Sequence, residues 1–91
     1  MSKCLHLHIT GLVQGVCYRI SAQMKATELG LSGITRNLPD GRVEIIVKGD
    51  EEILASYIDW CHCGPAMAQV TEVLQQQIEC TEEYNGFNIR Y

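Results

Sequence analysis

Apolar and polar residues alternate over residues 4–10. Leu5, Leu7 and Ile9 fall on one face of an extended chain, and Cys4, His6, His8 and Thr10 fall on the other. That period of two predicts a half-buried strand. The period then lengthens over residues 19–29. Ala22, Ala26 and Leu29 recur at i, i+4 and i+7, just after Tyr18, which predicts a helix whose small alanines let it sit close to a sheet. Ile20 and Met24 lie on its opposite face, where the pattern offers nothing to cover them. Gly30 is placed to end this helix. A short strand is expected over residues 33–38, followed by a Leu38-Pro39-Asp40-Gly41 turn. Asp-Gly between apolar runs is a strong hairpin signal. In the next strand Val43, Ile45 and Val47 share one face, with Glu44, Ile46 and Lys48 on the other. Asp50 then caps a second helix, whose first turn carries Glu51 and Glu52. Leu54, Tyr57, Ile58 and Cys61 form its apolar stripe, and Gly64-Pro65 ends it. Residues 68–78 read as a strand whose phase slips between Val70 and Val73, the mark of a bulge. Phe87, Ile89 and Tyr91 alternate as a last short strand.

The order is βαββαβ with a small extra C-terminal strand. It predicts a single α+β domain over residues 1–91, a ferredoxin-like sandwich with two helices on one face of an antiparallel sheet. Right-handed crossovers make strands one and two parallel, with strand three between them. Their separation is then about two inter-strand spacings, ~9.6 Å. The loop after strand one and the end of strand two therefore share one edge of the sheet. Arg19 and Asn37 both belong to that edge.

That loop is the segment GLVQGVCYR, residues 11–19. Consecutive N–H groups in a glycine-containing turn at a helix N-terminus form a cradle for an anion. Gly15 turns the backbone without a Cβ penalty. The fork of Arg19 binds phosphate oxygens in pairs. An ordinary βα turn with a salt-bridging arginine is the plainer reading of the same residues.

Composition narrows the partners. The chain has 91 residues, 46% of them hydrophobic and 20% charged, with a net charge of −4. A domain of this size buries roughly 60–65% of its unfolded surface, enough for one modest core. The acidic balance argues against nucleic acid. No apolar run approaches the ~18–20 residues of a membrane span. The start, Met1-Ser2-Lys3-Cys4, lacks a secretory pattern, so a cytoplasmic protein acting as a monomer is expected. The five cysteines, Cys4, Cys17, Cys61, Cys63 and Cys80, are an odd count and are expected to be free thiols.

Taken together, these motifs resemble the acylphosphatases. Gly11, Val13, Gln14, Gly15, Val16, Tyr18 and Arg19 fit the pattern G-x-V-Q-G-V-x-[FY]-R, and Gly33-Ile34-Thr35-Arg36-Asn37 is followed by Gly41, Val43 and Gly49 at the family's spacing. The Leu29-Gly30-Leu31 link, Gly64-Pro65 and the Phe87-x-Ile89 ending also fit. The resemblance implies hydrolysis of acyl phosphates to a carboxylate and inorganic phosphate, without a metal or other cofactor, with phosphate as product and competitive inhibitor. Arg19 and the amides of Gly15, Val16, Cys17, Tyr18 and Arg19 would hold the phosphate. Asn37 would orient the attacking water, while a phosphate oxygen takes its proton, since a carboxamide is no base. The chain departs from the family at Cys17, where glycine is frequent, at Ile34, usually aromatic, and at Thr35, usually small and apolar.

The competing class is a non-catalytic ferredoxin-like binding module for a small anion or a metal. Cys4, His6 and His8 share a strand face, and two histidines at i, i+2 can share a metal. More often such residues decorate a solvated sheet face. Cys61-His62-Cys63 resembles a ligand cluster but lacks a second half at zinc-finger spacing. An RNA-recognition domain would need aromatics on the central strands, where this chain has His6, His8, Glu44 and Ile46.

Overall fold

The computed structural model describes residues 2–80 and 82–91. Its elements run β1 (Ser2–Leu12), α1 (Tyr18–Glu28), β2 (Ser32–Asn37), β3 (Val43–Asp50), α2 (Glu51–Cys63), β4 (Gln69–Ile78) and β5 (Phe87–Arg90). The sheet order is β4-β1-β3-β2-β5, so β3 separates β1 from β2 as the crossover argument requires. The four strands of the βαββαβ unit are antiparallel to their neighbours, while β5 joins β2 in parallel. The terminal strand therefore makes the sheet mixed. It reaches β2 from the far edge, where only one side of β2 is still unpaired.

Alternation decides which face is buried. Leu7, Ile9, Val43, Ile45 and Val47 are fully buried beneath the helices. Tyr18, Ala22 and Ala26 of α1 and Leu54, Tyr57 and Cys61 of α2 complete the core. Two hydroxyls tie the layers together. Tyr18 donates to the Cys61 carbonyl at 2.8 Å, and Tyr57 to the Ala22 carbonyl at 3.0 Å. Burial pushes both phenols far above their usual pKa, so both stay donors at every working pH. Trp60 packs against both rings, at 5.5 and 6.0 Å between centroids.

The helix ends obey local chemistry. Asp50 accepts from the Glu52 amide at 3.0 Å, an N-cap. After α1 the amides of Gly30 and Leu31 turn back onto Thr27 and Ala26, a Schellman closure with Gly30 left-handed at φ 74°. The expected bulge is present. Thr10 pairs with Glu72 and Gly11 with Val70, which leaves Thr71 over. Ile20 and Met24 stay exposed; nothing in the fold covers them.

The cysteines depart from expectation. Cys17, Cys61 and Cys63 are free thiols, but Cys4 and Cys80 form a disulfide. β4 ends opposite Cys4 at Ile78, and the chain beyond it carries the Cys80 Cα to 5.7 Å from that of Cys4. Spacing alone hid this, because the two residues are 76 apart in sequence. The bridge also removes Cys4 as a metal ligand.

Candidate active site

The β1–α1 loop and the end of β2 meet where the topology puts them. A cleft of about 280 Å³ is lined by Val13, Gly15, Cys17, Tyr18, Arg19, Ile20 and Asn37. Four of the five expected cradle residues line it, together with Asn37; Val16 does not line it and packs against the core.

The loop is bent into position by two left-handed residues. Gly15 has φ 77° and Cys17 φ 64°. Cys17 is the residue before α1 and offers no side-chain cap. A non-glycine residue in this region costs about 1–2 kcal/mol, so the loop holds Cys17 where glycine would sit without strain. Among the described residues, no turn or cap hydrogen bond uses the amides of Gly15, Val16, Cys17, Tyr18 or Arg19. Free donors at a helix N-terminus carry partial positive charge.

The Arg19 guanidinium lies 5.0 Å from the Tyr91 ring centroid and donates a long 3.4 Å hydrogen bond to the Arg90 carbonyl. Among the described residues no carboxylate pairs with it. Asn37 supplies the complementary feature. Its Oδ1 is buried and accepts no hydrogen bond. Leaving a buried acceptor unmet costs about 1–3 kcal/mol. Thr35, two residues earlier on the same strand face, also has a buried hydroxyl with no partner; nothing in the structure explains it.

Gln14 does something the sequence did not announce. Its Nε2 donates to the Leu38 carbonyl at 2.8 Å and to the Arg42 carbonyl at 2.9 Å. One side chain thus ties the anion loop to the hairpin just beyond Asn37. The amide's two N–H donors suit this bridge, but its partners become visible only once the hairpin is beside the loop.

A larger groove of about 450 Å³ opens between α2 and the β1/β4 side of the sheet. Its charged residues, Lys3 and Glu51, pair with each other at 2.8 Å. Its charged lining side chains thus neutralise each other, whereas the smaller cleft carries the guanidinium of Arg19.

On the outer face of the sheet, Glu44 is buried between Arg36, His6 and His8. Burial pushes its carboxyl up, but the hydrogen bonds with Arg36 and His6 outweigh this and hold it below its ordinary value. None of these four residues lines the Arg19 cleft.

Known proteins share this chain's sequence pattern and fold. A family model described as Acylphosphatase matches residues 5–89. The chain is 51% identical to an acylphosphatase from Marinobacter nauticus over 82 residues, 90% of this chain and 89% of that relative. A solved acylphosphatase from Coxiella burnetii superposes with a TM-score of 0.92 at 36% identity, covering 98% of this chain and 93% of that one. One from Bacillus subtilis gives 0.93 at 33% identity, with both chains fully covered. No helix among the described residues is long and apolar enough to cross a membrane.

Proposed function

Because this chain belongs to the acylphosphatase family and hydrolyses acyl phosphates, we propose that Arg19 and the 15–19 amides hold the phosphate while Asn37 orients the water. The observation that carries this reading is that Asn37, whose Oδ1 has no partner, lines the same cleft as Arg19, whose guanidinium no carboxylate pairs among the described residues.

The phosphoryl oxygens sit on the loop amides and the guanidinium, which stabilise charge as it builds. Water donates one hydrogen to Asn37 Oδ1 and turns a lone pair toward phosphorus. Attack forms the new P–O bond and breaks the bond to the acyl oxygen, which leaves as carboxylate with the electron pair. The water's other proton passes to a phosphate oxygen. Because the leaving group is good, positioning and charge suffice. Positive charge comes from amides and one arginine, so turnover is expected to continue undiminished in a chelator, and inorganic phosphate is expected to compete with substrate.

Two substitutions separate the two roles. Arg19→Lys keeps the charge and loses the paired donors, so phosphate affinity should fall by about 1.5–3 kcal/mol. Asn37→Ala should bind phosphate nearly normally while turnover of an aryl acyl phosphate falls roughly 10²–10³-fold. Calorimetry with phosphate and steady-state kinetics measure the two effects. Equal losses of binding and turnover in both variants would reject the division of labour.

A further inference from the structure

We propose that His6, His8 and Glu44 form a binding site for one divalent transition-metal cation of the zinc class, on the outer sheet face and separate from the Arg19 cleft. His6 and His8 project from the same side of β1, and Glu44 is the register partner of His8 on β3. One ligand atom from each lies within 4.8 Å of the other two. His6 Nε2 is 2.8 Å from Glu44 Oε2, and His8 Nε2 is 4.0 Å from the same oxygen. The imidazole rings stand 4.5 Å apart. Zinc bonds of about 2.0–2.2 Å to nitrogen and oxygen place neighbouring ligands roughly 3.3 Å apart. Small rotations of the two partly exposed imidazoles reach that spacing from the distances observed.

The surroundings suit a cation held by three protein ligands. Arg36 hydrogen-bonds Glu44 through the other carboxylate oxygen, Oε1. The guanidinium can therefore stay in place and orient the carboxylate while Oε2 turns to the metal, as outer-shell partners do in metal sites. Glu44 is only 7% exposed, so its oxygen is presented from a fixed base. The two histidine side chains are each 26% exposed, which leaves room for water in the remaining position. Two imidazoles with one carboxylate favour zinc, copper, nickel or cobalt over magnesium or calcium, which prefer oxygen ligands. Cys4, the other candidate on this face, is committed to Cys80.

The chain has three histidines, so each imidazole can be followed by NMR. Titrating the full-length protein with zinc chloride should move the ring signals of His6 and His8 together, complete at one equivalent, with those of His62 unmoved. By calorimetry His8→Ala should bind zinc at least about tenfold more weakly, while its hydrolysis rate in chelator equals that of the parent. His62 signals moving first would overturn the proposal and point to Cys61-His62-Cys63 at the end of α2. So would an unchanged zinc affinity in His8→Ala, or histidine signals in the parent protein that do not respond to zinc.

Discussion

Cys17 carries the sharpest local conflict in the molecule, a side chain at φ 64° inside a loop that must turn its amides outward. Left-handed backbone costs a non-glycine residue about 1–2 kcal/mol, and here the cost falls on the loop that lines the cleft. Cys17→Gly should therefore fold at least as stably as the parent, by up to about 1 kcal/mol in urea unfolding after the unfolded-state entropy of glycine is set against the relief. Turnover should persist, because the thiol has no step to perform. Alkylating Cys17 should instead block hydrolysis by filling the cleft. A folded but inactive Cys17→Gly protein would mean that the sulfur is the nucleophile. At this scale the candidate site was largely legible. Arg19 and Asn37 stand in the two motifs that carry the family resemblance, and both line one cleft. Gln14 was not, since an amide's role is set by whichever carbonyls the fold brings to it.

The elements follow from periodicity wherever one face is buried and the other wet. β1, β3 and both helices fall where alternation or the i, i+4 spacing put them, and the phase slip in β4 marks a real bulge. β5 was the harder element. Its four residues fix no direction by themselves, and its parallel pairing depends on which edge of β2 is open. What joins elements into a site is the pair of Gln14 hydrogen bonds to the hairpin. Gln14→Ala removes both, and at 0.5–1.5 kcal/mol each should cost about 1–3 kcal/mol of stability. The loop and the strand end that carries Asn37 would then drift independently, so turnover should fall more than phosphate affinity. Gln14→Glu should fare worse, since it presents oxygens to two carbonyls. If Gln14→Ala keeps both the stability and the turnover of the parent, the tie has no mechanical role.

Across the whole molecule, the Cys4–Cys80 bridge links the start of the first strand to the segment after the fourth, a separation of 76 residues. An odd cysteine count and the lack of a secretory pattern pointed to free thiols, and neither signal reports which cysteines the sheet brings together. Closing so long a loop limits the unfolded chain, and removing such a bridge typically costs 2–5 kcal/mol. The bridge sits at the opposite end of β1 from the anion loop, so its loss should lower stability without touching the chemistry. Cys80→Ser should lower the urea midpoint by an amount equivalent to about 2–4 kcal/mol, with turnover at 25 °C unchanged. A thiol reductant should produce the same drop in the parent and none in Cys80→Ser. In a reducing cytoplasm the two cysteines would be held as thiols, and the reduced protein is then the working form. Its margin over unfolding then comes without the bridge, from the buried core that includes Leu7, Ile9, Ile45, Tyr18 and Tyr57 and from the hydrogen bonds around it. A reductant that leaves the parent's midpoint unmoved would mean that the bridge adds nothing to the fold.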